Sequence, residues 1–276
     1  MKFKLQHLTL HYEKYPAENQ SLSDVLLLHG FTGSGEDWEF LIPSLKKTCN
    51  LYTIDLVGHG RSDSPSDAGH YTMDSLTGYL NEFIGKVIKN NPVMLGYSMG
   101  GRIALSYAAA FPENIKALIL ESSAWGIKEK DQRETRIKED EKIAGFILSS
   151  SMEEFTEFWM NRPIFKTQKN LNPEILKRVK SGKMKNNPVG LSNSLLAAGT
   201  GKMNPPQNNI KGFRMPVLLI TGGLDKKFTG INSEMAALLE NAKHVTVPEA
   251  GHNVHLEKPG IFTNVIKDFL KNLKFL

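Results

Sequence analysis

The sequence has almost no cysteine and no long apolar run. Cys49 is the only cysteine among 276 residues, which excludes an internal disulfide and is typical of a reducing compartment. No apolar segment approaches the ~20 residues that a membrane-spanning helix needs. Residues 1–20 lack the basic and then apolar pattern of an export signal. We therefore expect a cytoplasmic protein without membrane insertion.

Outside one region, the chain has no net excess of positive charge. The net charge is +5, and residues 124–209 carry 15 Lys or Arg against 10 Asp or Glu, which accounts for the whole excess. Within residues 160–209, nine basic residues stand against one acid, Glu174. Such a region is either a solvated basic face or a positive wall over an anionic small molecule. Nothing else in the sequence supports a nucleic-acid partner, so we expect an anionic small-molecule substrate. The sequence does not define an oligomeric state.

Short apolar runs alternate with helical patterns over much of the chain. This alternation predicts an α/β fold with a mostly parallel, doubly wound sheet, whose binding sites form at the carboxyl ends of the strands. The expected strands are Phe3–His11, Val25–Leu28, Cys49–Ile54, Val93–Leu95, Ile115–Leu120, Pro216–Thr221 and Ala242–Val247. The helices expected between them are Trp38–Lys47, Met73–Lys89, Gly101–Phe111, Ser233–Glu240 and Gly260–Asn272.

The alternation stops after residue 123. From residue 124 to residue 209 the patterns are helical only, and Pro and Asn separate the segments. We therefore expect residues 1–123 and 210–276 to form the α/β core. Residues 124–209 would form a helical cap inserted between two strands, above their carboxyl ends.

A Gly-x-Ser-x-Gly motif provides the strongest functional signal. Gly96, Ser98 and Gly100 follow the apolar run Val93–Leu95 and precede a helix-forming run. A strand, a sharp turn and a helix in this order form a nucleophile elbow, which exposes the serine hydroxyl beside a helix N-terminus.

A serine needs an imidazole, and the imidazole needs a carboxylate, before the hydroxyl can act as a base or nucleophile. In this architecture the chain order is serine, acid, histidine. Asp225 and His252 each follow a late predicted strand, which matches that order. Glu121 also ends a strand and is the competing acid, although we favour Asp225.

Catalysis of this kind also needs backbone N–H groups that stabilise an oxyanion. One comes from the residue after the nucleophile, Met99. The other is expected from an early glycine-rich loop, His29–Gly33, where Phe31 is the candidate.

These motifs resemble those of the α/β-hydrolase superfamily over nearly the whole chain. The motifs are His-Gly-Phe-Thr-Gly at 29–33, Gly-His-Gly-Arg-Ser at 58–62, the elbow at 96–100 and Gly-His-Asn at 251–253. Finer features lie at 97–102, 132–136, 158–163, 195–202 and 225–228. They resemble the 2-succinyl-6-hydroxy-2,4-cyclohexadiene-1-carboxylate synthases of menaquinone biosynthesis, which eliminate pyruvate without a metal or organic cofactor.

The resemblance implies a substrate with several carboxylates, which guanidinium groups bind well. The substrate-binding positions that it implies are Tyr97, Arg102, Arg133, Arg136, Trp159 and Lys227. A further cap arginine of the family is missing here, and Lys183 is its expected replacement. Two alternatives stay open: a serine hydrolase of an ester or C–C bond in an anionic substrate, and a non-catalytic ligand-binding protein.

Overall fold

A computed structural model describes residues 1–21, 23–203 and 210–273. The strands are β1 (Lys2–Lys4), β2 (Thr9–Tyr15), β3 (Asp24–Leu28), β4 (Asn50–Ile54), β5 (Val93–Tyr97), β6 (Ala117–Glu121), β7 (Val217–Gly222) and β8 (Ala242–Val247). They form one sheet in the order β1-β2-β4-β3-β5-β6-β7-β8. Strand β2 pairs antiparallel with both β1 and β4, and all other pairs are parallel. The predicted α/β class with a mostly parallel sheet is confirmed.

The first expected strand is wrong in one respect. Phe3–His11 is not one strand, because β1 and β2 form an antiparallel hairpin in which Phe3 lies opposite Leu10. The backbone N–H of Leu5 donates to the carbonyl of Leu8 at 2.9 Å and closes the turn.

Helices cover both faces of the sheet. Alternate residues of a strand point to opposite faces, so Leu26 and Leu28 join one buried cluster, and Val25 and Leu27 join the other. The first cluster also contains residues of the helices Met73–Phe83, Met99–Ala110 and Lys226–Leu238, and the second contains residues of the helices Ile42–Leu45 and Pro259–Asn272. The core helices are α1 (Ile42–Leu45), α2 (Met73–Phe83), α3 (Met99–Ala110), α8 (Lys226–Leu238), α9 (Val254–Glu257) and α10 (Pro259–Asn272).

Three core helices differ from the expected bounds. The segment expected as Met73–Lys89 is α2, which ends at Phe83, followed by a π-helical turn, Ile84–Ile88. The segment expected as Trp38–Lys47 is a 3₁₀ turn, Gly35–Trp38, followed by the short α1. Helix α8 begins seven residues before the expected Ser233, because the Asp225 side chain accepts a hydrogen bond from the N–H of Phe228 and caps the helix.

Helices also fill the chain between β6 and β7. They are α4 (Lys130–Ser149), α5 (Met152–Met160), α6 (Pro173–Met184) and α7 (Pro188–Ala198), with a 3₁₀ segment, Pro163–Asn170, between α5 and α6. Buried apolar side chains of α4, α5 and α7 form a separate cluster, against which Phe31 of the core packs. We call residues 124–203 the cap. The expected cap boundary at 209 falls outside the described residues. None of the helices in the described ranges is both long and apolar enough to cross a membrane.

Candidate active site

Ser98 lies at the junction of β5 and α3 in a conformation that few non-glycine residues adopt. Its φ is 49° and its ψ is −103°, which costs energy and occurs mostly at functional sites. The turn is also crowded, since a Cβ atom on Gly96 would lie 2.5 Å from the backbone carbonyl of Gly100. The Gly-x-Ser-x-Gly motif is thus required by the close contact of strand and helix.

Ser98, His252 and Asp225 form a chain of hydrogen bonds. The Ser98 Oγ atom lies 3.1 Å from His252 Nε2, and His252 Nδ1 lies 2.7 Å from Asp225 Oδ2. Because a carboxylate only accepts hydrogen bonds, Nδ1 carries the proton and Nε2 can accept the serine proton. His252 is only 2% exposed. The arrangement therefore can withdraw a proton from the Ser98 hydroxyl.

The structure gives Glu121, the competing acid, a different partner. Its carboxylate is fully buried, and it accepts hydrogen bonds from His255 Nδ1 at 2.7 Å and from the backbone N–H of His255 at 2.9 Å. The Trp38 and Phe40 rings pack against the same imidazole. Glu121 thus anchors α9 through His255, which lies three residues after His252. Asp225 is the carboxylate that contacts His252.

We expect His255→Leu to destabilise the fold because it leaves the Glu121 carboxylate buried with only one donor. Breaking a buried pair of this kind costs about 3–5 kcal/mol. Urea unfolding would measure the loss, with His7→Leu at an exposed position as the control that should change stability by less than about 0.5 kcal/mol. Equal stability of both variants would contradict the anchoring role of Glu121.

The two backbone N–H groups expected to stabilise an oxyanion are those of Phe31 and Met99. Neither the Phe31 amide nor the Met99 amide donates to an acceptor within the described residues, and both residues line one cavity with Ser98. The loop that carries Phe31 is held by His29, whose Nδ1 lies 2.7 Å from the Gly30 carbonyl and whose Nε2 accepts from the Leu56 N–H.

The cavity above Ser98 has a volume of about 500 Å³ and lies between the core and the cap. Basic side chains outnumber acidic ones in its lining. The basic residues are Arg102, Arg136, Arg162, Lys166 and Lys227, and the acidic ones are Glu139 and Asp225. Trp159 also lines the cavity, and its ring centroid lies 5.0 Å from that of Phe31. The electrostatics of this lining favour an anion.

Arg102 and Arg136 are the cations of the cavity lining that hydrogen bonds within the described residues hold in place. Arg102 is 9% exposed and donates from Nη1 to the Ala198 carbonyl. Burial lowers its pKa to about 10, and Arg136 acts in the same direction while Asp140 opposes it. The Nε of Arg136 donates to the buried Asp140 carboxylate at 2.9 Å, which leaves both terminal nitrogens for a ligand.

Three predicted binding residues lie outside this lining. Tyr97 and Lys183 line a neighbouring cavity of about 170 Å³. Lys183 Nζ donates to Thr32 Oγ1 at 2.8 Å, and burial lowers the pKa of its ammonium group. Tyr97 packs beside His252, with ring centroids 5.6 Å apart. Arg133 lines neither cavity, because it lies in the first turn of α4, one turn before Arg136.

Sequence reasoning missed Arg162, Lys166 and Asp140. Asp140 had a detectable signal, since it follows Arg136 by four residues on one helix and such pairs are neighbours. Arg162 and Lys166 flank the start of a 3₁₀ segment, and no sequence period marks which of its side chains face a cavity.

Comparison with known proteins is consistent with this geometry. The alpha/beta hydrolase fold family matches residues 25–259, and the chain therefore belongs to that family.

Relatives that match this chain over about 90% of its length carry the name of one enzyme. A Bacillus subtilis (strain 168) protein named as a candidate 2-succinyl-6-hydroxy-2,4-cyclohexadiene-1-carboxylate synthase is 39% identical over 249 residues, 90% of each chain. The synthase of that name from Enterobacter sp. (strain 638) is 27% identical over 247 residues, 90% of this chain and 91% of its own. The solved structure of MenH from S. aureus superposes with a TM-score of 0.92 at 31% identity, covering 96% of this chain and 99% of that one. Within the fold family, the chain is a member of this synthase family, as its motifs implied.

Proposed function

We propose that the protein is a carbon–oxygen lyase of menaquinone biosynthesis. It eliminates pyruvate from 2-succinyl-5-enolpyruvyl-6-hydroxy-3-cyclohexene-1-carboxylate and forms 2-succinyl-6-hydroxy-2,4-cyclohexadiene-1-carboxylate. The observation that carries the proposal is one cavity that combines the Ser98–His252–Asp225 chain with two fixed arginines, Arg102 and Arg136. The names of the relatives support the same reaction. A cytoplasmic location belongs to the proposal and is consistent with the buried free thiol of Cys49.

In the proposed mechanism, Ser98 acts as a base. Its Oγ takes a proton from the ring carbon next to the succinyl carbonyl, while the serine proton moves to His252 Nε2. The electron pair forms an enolate, whose oxygen accepts hydrogen bonds from the N–H groups of Phe31 and Met99. Electrons then shift through the ring and break the C–O bond to the enolpyruvyl group. The departing enolate takes up a proton and becomes pyruvate, so no acyl-enzyme forms.

The basic lining of the cavity supports a substrate that carries several carboxylates. Arg102 and Arg136 would each bind a carboxylate, since guanidinium groups form paired, charge-assisted hydrogen bonds. Lys227 adds positive potential beside Asp225, and Trp159 supplies an apolar wall. Lys183 and Tyr97 are assigned a supporting role instead. Lys183 holds the loop that carries Phe31, and Tyr97 packs against His252.

The decisive experiment measures pyruvate release from this substrate, generated in place by the preceding pathway enzyme. Ser98→Ala serves as the control, because it corrects for spontaneous elimination. Release by the native protein that clearly exceeds release by the variant would support the lyase. Equal release by the two proteins would reject it.

Arg102 offers a test of substrate charge. We expect Arg102→Lys to raise KM about 10- to 100-fold, because a lysine keeps the charge but loses the paired hydrogen bonds, and bonds to charged groups contribute about 1.5–3 kcal/mol. Steady-state pyruvate release would give KM and kcat separately. Arg214→Lys, an exposed arginine paired with Glu240, is the matched control and should leave both constants unchanged. An unchanged KM in Arg102→Lys would exclude a carboxylate contact at Arg102.

A serine hydrolase is the second candidate, because the same hydrogen-bond chain and free N–H groups also suit acyl transfer. In that reaction Ser98 would carry a covalent acyl group. Rapid quenching followed by intact-mass measurement would separate the two candidates, since an acyl adduct on Ser98 during turnover favours hydrolysis.

A further inference from the structure

Glu257 connects the cap to the loop that carries His252. One carboxylate oxygen, Oε2, accepts a hydrogen bond from the backbone N–H of Gly251 at 2.8 Å. The other, Oε1, accepts from the Thr167 hydroxyl at 3.0 Å. Gly251 immediately precedes His252, and Thr167 belongs to the 3₁₀ segment Pro163–Asn170 of the cap. A single carboxylate thus bridges the histidine loop and a cap residue, Thr167, that precedes Glu257 by 90 residues.

The contact between these parts is close. A Cβ atom on Gly251 would collide with the Thr167 hydroxyl and would lie 3.0 Å from Glu257 Oε1. A glycine is therefore needed where the cap segment meets the histidine loop. If Thr167 moved away, the histidine loop would lose the side chain that packs against Gly251.

The bridge has no counter-charge. Within residues 1–21, 23–203 and 210–273, no Lys, Arg or His nitrogen lies within 4.0 Å of the Glu257 carboxylate. The carboxylate is half-buried, so its two hydrogen bonds are its main compensation for lost water. Its role is to accept from both donors at once, which ties the position of one to the position of the other.

The cap segment that Thr167 belongs to also lines the cavity. Phe165, Lys166 and Thr167 all contribute to the lining, and the Phe165 ring lies 6.2 Å from the His252 ring. A ligand that contacts this segment therefore acts on a part of the cap that is hydrogen-bonded, through Glu257, to the histidine loop.

We propose that Glu257 is a positioning residue that couples the docking of the cap segment Pro163–Asn170 to the orientation of His252. When the segment is docked, Thr167 and Gly251 share the carboxylate, and His252 Nε2 is held at hydrogen-bond distance from Ser98. When the segment moves away, Glu257 keeps only the hydrogen bond from the Gly251 N–H and no longer connects the histidine loop to the cap. The other anchor, Glu121 on His255, holds the core side of the same loop.

A double-mutant cycle tests this coupling. Thr167→Val keeps the side-chain shape and removes only the hydroxyl, and Glu257→Ala removes both hydrogen bonds. We expect Thr167→Val to lower kcat about 3- to 10-fold, which corresponds to the loss of one hydrogen bond, with a smaller change in KM. In the Glu257→Ala background the same change should have no further effect, because residues that share a network are not additive.

The conservative variant separates hydrogen bonding from charge. Glu257→Gln can still accept from Gly251 and can donate to the Thr167 oxygen, so we expect kcat within about 3-fold of the native value. Glu240→Gln, at an exposed position, is the control for the same chemical change elsewhere. Additive effects of Thr167→Val and Glu257→Ala, or an unchanged kcat in Thr167→Val, would overturn the proposal. Thr167→Val provides this test even if Glu257→Ala fails to fold.

The measurements of kcat rest on the proposed lyase function, because they use its substrate. A second measurement does not depend on that function. A small fluorophosphonate reacts with Ser98 only when His252 accepts the serine proton. The rate of phosphonylation should therefore decrease in Thr167→Val and show the same non-additivity. If the native protein released no pyruvate, the lyase proposal would fail, and the phosphonylation cycle would still decide the role of Glu257.

Discussion

Replacement of Ser98 by alanine is expected to lower kcat for pyruvate release by about 10²- to 10⁴-fold, the usual contribution of a positioned base. The Oγ atom lies 3.1 Å from His252 Nε2 and forms the reactive end of the hydrogen-bond chain. Alanine removes the base but leaves the Phe31 and Met99 amides and the arginines in place. We therefore expect kcat to collapse while KM changes little, and steady-state kinetics would show this separation.

Ser181→Ala is the matched control for Ser98→Ala. Ser181 is exposed on α6 and lies outside the cavity that contains Ser98, so its removal should leave kcat and KM unchanged. Alanine keeps the Cβ atom and therefore the same positive-φ strain at residue 98, so we expect the variant to stay folded, which thermal unfolding would check. Near-native turnover by Ser98→Ala would contradict the assignment of Ser98 as the base and would point to another proton acceptor.

Ser98, His252 and Asp225, which the structure brings into hydrogen-bond contact, could be selected from the sequence by local rules. A serine at a strand–helix turn needs small neighbours, and Gly96 and Gly100 meet that need through contacts within the motif. Asp225 and His252 each follow a strand whose apolar run is recognisable on its own. Because parallel strands share one carboxyl edge, the order of the strands brings these three side chains together without further information.

The placement of the other predicted binding residues depends on how separate elements pack. Lys183 and Tyr97 line a neighbouring cavity because α6 lies on one side of the loop 29–33, and no period in the sequence encodes that placement. The sequence of the β1–β2 hairpin predicts one strand because its turn, Leu5–Leu8, contains neither Gly nor Pro. Helix α8 begins early because Asp225 serves as its N-cap, and the polar residues after it concealed the first two turns.

Replacement of Asp225 by asparagine is expected to lower kcat about 10²- to 10⁴-fold with little structural change. Asparagine is as good an N-cap as aspartate, so α8 should keep its start at Lys226. The amide, however, can donate a hydrogen bond to His252 Nδ1, which favours the tautomer with the proton on Nε2. That tautomer cannot accept the Ser98 proton. Stopped-flow or steady-state measurement of pyruvate release would provide kcat, and circular dichroism would verify the fold.

Glu121→Gln separates the two carboxylates that sequence reasoning left in competition. Glu121 contacts His255 rather than His252, so its amide variant should lose stability but retain kcat within about 10-fold per folded molecule, since its effect on His252 is indirect. Asp225→Asn should show the opposite pattern, with a low kcat and near-native stability. If Glu121→Gln lowered kcat as far as Asp225→Asn while remaining folded, Asp225 would not be the only carboxylate on which His252 depends, and the proposed proton path would have to include the Glu121–His255 pair.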